Sequence, residues 1–284
     1  MHRYERPKDL ETALDLRAGG EWQVIAGGTD VFPAMVGRVA PRPLLDISGI
    51  EALRGIEETA AGWRLGACLR WSELRDHSLP PLFDGLRKAA GMIGGRQVQN
   101  RATLGGNLCN ASPAADGAAA LLALDARVEL RSRRGRRELP LAEFLLGNRR
   151  TALAPDELLT AILVPASRGE ARSDFLKLGA RKYLVISIVM VALVLEGDAQ
   201  GVIRRAGIAA GACAPTARRL PLLEERLLGR RLDEPLAEAV DGGVLAPLAP
   251  IDDIRGTAAY RREAVLVLLR RGLEGLTTAM PGAA

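Results

Sequence analysis

Two segments, each carrying a pair of adjacent glycines, place the strongest constraint on how this chain can fold. The sequence VIAGGTDV occupies 24–31, and ATLGGNLCNASPAAD occupies 102–116. Glycine has no Cβ and tolerates positive φ, so successive N–H groups in such a segment can point toward an anion. A single glycine pair also suits a tight turn, and the chain has further pairs at 19–20, 94–95 and 242–243. Two similar segments suggest one ligand held from two sides, with a phosphate as the natural candidate.

Several other kinds of site are disfavoured by the sequence. It contains no G-x-G and no GxxxxGK[ST], so neither the Rossmann fingerprint nor the P-loop is present. The two histidines, His2 and His77, belong to no zinc-binding motif, and no G-x-S-x-G elbow accompanies them. Cys68, Cys109 and Cys213 are widely spaced and never form CxxC, which argues against a disulfide framework, a zinc site or a cluster. We therefore expect no metal in this chain.

Charge and hydropathy narrow the surroundings in which the chain works. The net charge of +5 is scattered along the sequence, apart from RSRRGRR at 131–137, so we expect no nucleic-acid partner. That run is interpreted as the turn of a β-hairpin around Gly135, with a phosphate-binding or partner-docking role as the alternative. The apolar run Tyr183–Leu195 is shorter than the roughly 20 residues of a membrane span and predicts a buried strand. The charged N-terminus lacks a signal-peptide core, which predicts a cytoplasmic location.

The order of predicted elements indicates an α+β protein in two parts. The first ~55 residues alternate tightly between helix and strand, with a short helix from about Leu10 to Arg17 that Asp9 caps. Short strands and helices follow. The polar stretch VPASRGEARSD at 164–174 is the predicted hinge. Beyond it, the strand at 183–195 and the run VIRRAGIAAGAC predict a long hairpin in an antiparallel sheet, and the remainder is helical in character.

Three motifs in this order resemble a known family. The motifs AGGTD at 26–30, ATLGGNLCNASPAAD at 102–116 and FLKLGAR at 175–181 are similar to the FAD-binding medium subunit of molybdenum hydroxylases, the flavoprotein of the xanthine dehydrogenase and carbon monoxide dehydrogenase group. The resemblance extends from the start of the chain to about Leu273. It implies a vanillyl-alcohol-oxidase-type FAD-binding domain, built from two α/β subdomains, over 1–170. A C-terminal flavoprotein domain of antiparallel sheet plus helices would then occupy 171–284.

The same resemblance implies a set of FAD-binding residues. Several of these residues also have a structural interpretation. Ile93 and Leu159 could be core residues, Asp116 could cap a helix, and Lys177 could be a surface charge. Thr103 and Asn107 could merely shape a turn. The glycines should be required, because the close approach of the pyrophosphate would leave no room for a side chain. The implied set is Val24, Ile25, Ala26, Gly27, Gly28, Thr29, Asp30, Val31, Ile93, Thr103, Leu104, Gly105, Gly106, Asn107, Asp116, Leu159 and Lys177.

The family resemblance also implies a function. The chain would be an electron-transfer subunit that passes electrons from the [2Fe-2S] centres of a small subunit to an external acceptor, while a large molybdopterin subunit hydroxylates the substrate. A dimer of heterotrimers is the expected assembly, and this chain alone should not hydroxylate substrate. The FAD should be non-covalent, because neither histidine lies in a motif. Where xanthine dehydrogenases carry acidic residues, 184–187 reads LVIS, so the acceptor is expected to differ. The alternatives are a self-sufficient FAD oxidoreductase of the same fold and a scaffold subunit without flavin.

Overall fold

The structure is a computed structural model that describes residues 3–38 and 40–278, with the side chain of Thr278 left out. The chain begins with a small parallel sheet of order β1-β3-β2, flanked by the helix that follows β1. That helix starts as the sequence predicts, because the carboxylate of Asp9 accepts a hydrogen bond from Thr12 N–H. The elements are β1 (Tyr4–Glu5), α1 (Leu10–Ala18), β2 (Gln23–Ile25), α2 (Val31–Ala34) and β3 (Leu44–Asp46).

A second, antiparallel sheet of order β4-β5-β10-β6-β7 follows, with helices packed against it. The arginine-rich run forms the predicted hairpin between β6 and β7, with Gly135 at φ 132°. The elements are β4 (Ile56–Thr59), β5 (Gly62–Gly66), α3 (Trp71–Asp76), α4 (Asp84–Met92), α5 (Arg96–Gln99), α6 (Leu104–Asn110), α7 (Asp116–Ala123), β6 (Arg127–Ser132), β7 (Gly135–Pro140), α8 (Leu141–Phe144), β8 (Leu145–Gly147), β9 (Arg150–Thr151) and β10 (Leu158–Pro165).

The last part of the chain is a four-stranded antiparallel sheet of order β11-β12-β13-β14, followed by helices. The connection at 166–169 joins β10 of the second sheet to β11 of this one, and it falls within the predicted hinge. Its elements are β11 (Glu170–Leu178), β12 (Val189–Gly197), β13 (Ile203–Gly211), β14 (Arg218–Arg219), α9 (Pro221–Leu227) and α10 (Ala258–Thr278). Short 3-10 helices lie at Ile47–Gly49, Glu51–Leu53, Pro81–Phe83, Leu236–Ala239 and Gly242–Leu245.

The C-terminal sheet is covered on both faces, which explains why β12 is apolar from Val189 to Leu195. Met190, Ala192 and Val194 pack into the core shared with α4 and α7, while Val191 and Leu193 pack against α9 and α10. A strand covered on both faces loses the alternation of polar and apolar residues. The predicted strand at 183–195 is wrong in its first part, because 183–187 form a loop and the strand begins only at Val189.

The described residues contain no helix with the length and apolar character that a membrane crossing requires.

Candidate functional site

A cleft of about 420 Å³ lies between the small parallel sheet and the helices that follow β5, and it brings the two glycine segments together. Its floor includes Ala67, which immediately follows β5, and Leu159 of β10, beside a register shift in that strand. The residues that line the cleft are Arg17, Trp22, Gln23, Val24, Ala26, Gly27, Gly28, Thr29, Asp30, Val31, Arg42, Ile47, Ala67, Trp71, Ile93, Val98, Ala102, Thr103, Gly105, Gly106, Asn107, Cys109, Asn110, Leu153, Leu158 and Leu159.

The first glycine segment offers a row of free backbone donors. It runs from the end of β2 to the start of α2, and Gly28 adopts φ 74°. Among the residues that the structure describes, no acceptor is bonded to the N–H of Gly27, Gly28, Thr29 or Asp30. Backbone N–H groups that are excluded from secondary structure and face a cleft are the usual ligands of phosphate oxygens. This segment therefore supplies what the sequence led us to expect.

The second glycine segment is a helix N-terminus whose donors are already used. Thr103 caps α6 and accepts from Gly106 N–H through its hydroxyl oxygen, at 3.1 Å. The N–H of Leu104 donates to Leu69 O, that of Gly105 to Ala67 O, and that of Asn107 to Thr103 O. Free N–H groups therefore belong to the first segment, whereas those at the start of the second segment have acceptors within the protein. The second segment contributes a wall of the cleft.

The glycines at 27 and 105 are required by the protein's own packing. A Cβ at Gly27 would lie 2.0 Å from the carbonyl oxygen of Arg101, and one at Gly105 would lie 2.8 Å from the backbone of Ala67. Both distances are far below van der Waals contact, and backbone atoms cannot move aside cheaply. The close approach of Gly27 to the segment before Thr103 is what joins the two motifs. Packing within the protein therefore accounts for glycine at these two positions.

Two buried polar atoms in residues of the cleft wall have no hydrogen-bond partner in the described part of the chain. They are Nε1 of Trp71 and Oδ1 of Asn107. The two side chains are neighbours, since a Cβ added at Gly117 would lie 2.4 Å from the Trp71 ring and 2.8 Å from the Asn107 oxygen. Unsatisfied buried donors and acceptors are uncommon and often mark the place of a ligand or an ordered water. They are consistent with a ligand seated in this cleft.

A polar cluster lies at one edge of the cleft. Asn110 donates through Nδ2 to the carboxylate of Asp30 at 2.9 Å, and the guanidinium of Arg149 donates to the Asn110 amide oxygen. Arg149 Nη1 also lies 4.0 Å from Asp30 Oδ1. This cluster ties α6 to the first glycine segment, so it holds the two walls of the cleft at a fixed spacing.

Asp116 and Lys177 form a buried ion pair that does not line the cleft. Lys177 Nζ lies 2.6 Å from Asp116 Oδ2, and Ser187 Oγ donates to Asp116 Oδ1 at 2.5 Å. Burial raises the pKa of Asp116, and the Lys177 ammonium and the Ser187 hydroxyl oppose that rise. Lys177 Nζ also approaches Met92 O at 3.5 Å, one residue before Ile93 of the cleft wall. The pair links the N-terminus of α7 to β11 of the C-terminal sheet.

The remaining sequence-predicted site residues divide into two groups. Ile25 and Leu104 are buried in the protein core behind the cleft. The others, from both glycine segments together with Ile93 and Leu159, line the cleft. His77 ends α3 and is absent from the lining, and His2 lies outside the described residues.

Sequence reasoning missed several lining residues. Cys109 and Asn110 could have been found, because they follow Gly106 at the i+3 and i+4 spacing of a helix. Arg17 and Trp22 carry no such signal, because they reach the cleft from the end of α1 and the following turn.

Cys68 and Cys213 are buried and do not line the cleft, and all three thiols are free. Burial raises the pKa of Cys68 to about 12 and that of Cys213 to about 11. In the described part of the chain, no group of three His, Cys, Asp or Glu residues is arranged to hold a metal ion.

Comparison with protein families identifies the class to which this fold and cleft belong. The family described as the FAD binding domain in molybdopterin dehydrogenase matches residues 1–167. The CO dehydrogenase flavoprotein C-terminal domain matches residues 174–276. The chain belongs to the FAD-binding medium subunits of the molybdenum hydroxylase family, and is thus an oxidoreductase subunit with FAD as its cofactor. The family and fold class predicted from the sequence are confirmed.

Individual relatives match the chain almost end to end. The nicotine 6-hydroxylase medium subunit of Paenarthrobacter nicotinovorans is 33% identical and the carbon monoxide dehydrogenase medium chain of Hydrogenophaga pseudoflava is 32% identical, each alignment covering 95% of both proteins. Among solved structures, reconstituted CO dehydrogenase from Oligotropha carboxidovorans superposes with a TM-score of 0.90 at 29% identity, over 99% of each chain. Quinoline 2-oxidoreductase from Pseudomonas putida 86 gives 0.85 at 25% identity, over 98% of each chain.

Proposed function

We propose that this chain is the electron-transfer flavoprotein of a heteromeric molybdenum hydroxylase, and that FAD binds in the cleft between the two glycine segments. The observation that carries the proposal is the row of unpaired N–H groups from Gly27 to Asp30, in a cleft that also contains two unpaired buried polar atoms. Such a cleft fits a long cofactor that contains a diphosphate, because anionic oxygens can accept from the free amides.

In this proposal, each wall of the cleft has its own task. The backbone from Gly27 to Asp30 holds the diphosphate, and the apolar residues Ile93 and Leu159 exclude water from the cofactor. Thr103 and Asn107 shape the second wall, and the ion pair of Asp116 and Lys177 supports that wall from behind. Bound FAD supplies the redox chemistry, and the protein supplies its position and electrostatic surroundings.

The partners follow from the family. We propose a large molybdopterin subunit that hydroxylates the substrate, a small [2Fe-2S] subunit that delivers the electrons, and an external acceptor that removes them. We further propose a dimer of heterotrimers, and a division of this chain into a FAD-binding domain at 1–170 and a C-terminal flavoprotein domain at 171–284. The change from the second sheet to the third at 166–169 supports that boundary.

Flavin binding is tested on the full-length chain, purified alone and in its complex. We expect one FAD per chain, released into the filtrate when the protein is heated, because neither glycine motif contains a histidine that could attach it. Yellow colour that stays on the denatured polypeptide would contradict non-covalent binding. A complex isolated intact but without flavin would contradict the proposed function.

The need for partners is tested by expressing the chain with and without the proposed large and small subunits. Substrate oxidation is expected only from the complete complex, whereas the chain alone should at most exchange electrons with a dye. An interface able to keep such a complex together should exceed about 1,000 Å², so co-purification is expected. Substrate oxidation by the lone flavoprotein at the rate of the complex would instead support a self-sufficient FAD oxidoreductase.

A further inference from the structure

Arg17 is a half-buried cation that lines the cleft without a carboxylate partner. It lies in the last turn of α1, where its Nη1 donates to Trp22 O at 2.9 Å and its Nε to Glu157 O at 3.4 Å. These contacts use two of the five N–H donors that a guanidinium carries. Arg17 forms no salt bridge with any described residue, although most arginines of this chain do. Its charge is therefore not paired at close range, and the carboxylates of Asp156 and Glu21 act on it only from beyond 4 Å.

Arg42, the other cation of the cleft lining, differs from Arg17 in its exposure to solvent and in having a carboxylate partner. Arg42 is more than half exposed, and its Nε lies 3.5 Å from the carboxylate of Glu21. The surroundings of Arg17 instead disfavour its charge, since desolvation is the main cause that lowers the pKa of its guanidinium. An unpaired charge that is partly removed from water is unfavourable unless another group compensates it.

Arg17 lines the same cleft as the two glycine segments. Cys109, on the second wall, is also part of that lining. The turn that follows Arg17 leads through β2 directly into the free N–H groups at Gly27 to Asp30. A negatively charged ligand held by those amides would therefore lie in a cleft that also contains a guanidinium without an ion pair.

We propose that Arg17 is an anion-binding residue of the cleft, which pairs with the diphosphate of the bound dinucleotide and adds charge recognition to the amide contacts. This inference rests on the proposed function. The hydrogen bonds to Trp22 O and Glu157 O hold the guanidinium in position, so its unused donors are available to phosphate oxygens. Because the diphosphate is the only anionic part of FAD, Arg17 discriminates between ligands that carry phosphate and ligands that lack it.

The experiment compares three ligands on the FAD-free full-length chain: FAD, ADP and riboflavin. The variants are Arg17→Met, which removes the charge but keeps the aliphatic stem, and Arg17→Lys, which keeps the charge. Arg54→Met is the matched control, because Arg54 is also half-buried, donates to a backbone carbonyl, that of Ser48, at 2.8 Å, and lies outside the cleft lining. Affinities are measured on the folded fraction, which a thermal melt without ligand defines.

We expect Arg17→Met to weaken FAD and ADP roughly 10- to 100-fold, as for loss of a charged hydrogen bond, with riboflavin affinity unchanged. The FAD affinity of Arg17→Lys should lie between those of the wild type and Arg17→Met, and that of Arg54→Met should match the wild type. The dependence of FAD affinity on salt should also become weaker in Arg17→Met.

An equal loss of affinity for riboflavin and FAD, or no loss for FAD, would overturn the role of Arg17. If Arg17→Met does not fold, Arg17→Lys and the salt dependence of the wild type decide: a salt-independent FAD affinity overturns it. Wild-type protein that binds no FAD would overturn the proposed function instead.

Discussion

Gly27 has a role in packing that the sequence alone does not reveal. The sequence singled it out as part of a phosphate-binding segment, and it does line the cleft. Its missing side chain, however, makes room for the carbonyl of Arg101, and the ligand-facing property of the segment is its row of free N–H groups. Glycine in a binding loop can thus serve the fold first and the ligand second.

This role of Gly27 predicts a stability effect. Gly27→Ala should lower the free energy of unfolding by about 3 kcal/mol or more without FAD present, because the new Cβ would meet backbone at 2.0 Å. Thermal and denaturant melts of the flavin-free protein measure this. The control is Gly242→Ala, from another glycine pair, where a Cβ would have nothing within 4 Å. A Gly27→Ala variant of normal stability that simply fails to bind FAD would contradict the packing explanation.

Asp116 and Lys177 form a contact that the sequence alone does not predict. The family resemblance placed both near the flavin, and nothing in the linear sequence shows that they pair with each other across 61 positions. A buried carboxylate and ammonium meet only because α7 packs on the C-terminal sheet, against β12 and β13, which is a consequence of tertiary structure. Arg17 and Trp22 escaped notice for the same reason, since they reach the cleft from outside both motifs.

At the scale of secondary structure, local signals predicted the first helix and failed where burial changes within an apolar run. The helix predicted after Asp9 is present as α1. The apolar run from Tyr183, by contrast, starts with residues that are more than half exposed, such as Tyr183 and Leu184. Leu184 adopts φ 53°, which a strand does not permit. Hydrophobicity alone could not reveal where the strand starts.

The hairpin of β6 and β7 is attached to the segment before β10 by a bidentate ion pair. Arg137 donates from Nε and Nη2 to the two carboxylate oxygens of Glu157, at 2.5 and 2.7 Å. Ala154 N–H also donates to Glu157, at 2.8 Å. The hydrogen bond from Arg137 is the main reason that the pKa of Glu157 lies below its ordinary value of 4.5. The arginine-rich run is therefore explained as a structural feature of the hairpin.

This ion pair predicts a pH dependence. Because the pKa of Glu157 is lower in the folded than in the unfolded state, its stabilisation is complete above the ordinary value of 4.5 and is lost as the pH falls through the lowered pKa. Glu157→Gln should therefore lower the free energy of unfolding by about 1–2 kcal/mol at neutral pH, since Arg137 is partly exposed and screened. The difference from the wild type should shrink in acid. Denaturant melts across the acidic range measure it.

The control is Glu138→Gln in the same hairpin, whose carboxylate pairs with the exposed guanidinium of Arg136. Its effect should stay within about 1 kcal/mol at neutral pH. A deficit of Glu157→Gln that is constant with pH, or one that grows in acid, would contradict the role of the ionised carboxylate.

At the scale of the whole molecule, two cores meet at the C-terminal sheet. One face of that sheet completes the core around α4 and α7, and the other face forms a separate core with α9 and α10. The buried pair of Asp116 and Lys177 crosses the first of these contacts, next to the wall of the cleft. The packing of the C-terminal part therefore supports the wall of the cleft directly.

Breaking this pair should weaken the contact strongly. Lys177→Met is expected to lower the free energy of unfolding by about 3–5 kcal/mol, because it leaves the Asp116 carboxylate buried without its partner. Combining it with Asp116→Asn should restore a large part of the loss. The control is Lys88→Met, since Lys88 also connects α4 to β11 through Asp174, at 2.5 Å, but is 44% exposed. Its effect should be about 0–1 kcal/mol. Equal effects of the two lysine variants would show that the buried pair has no special role.

A crystal structure of the chain with FAD bound would test the proposed site directly. We predict that the diphosphate lies in the cleft and accepts hydrogen bonds from the free N–H groups of Gly27 to Asp30. The N–H groups at the start of α6 should keep the protein partners that they have now. FAD bound elsewhere on the chain, or a diphosphate in this cleft that makes no contact with those four amides, would contradict the proposed site.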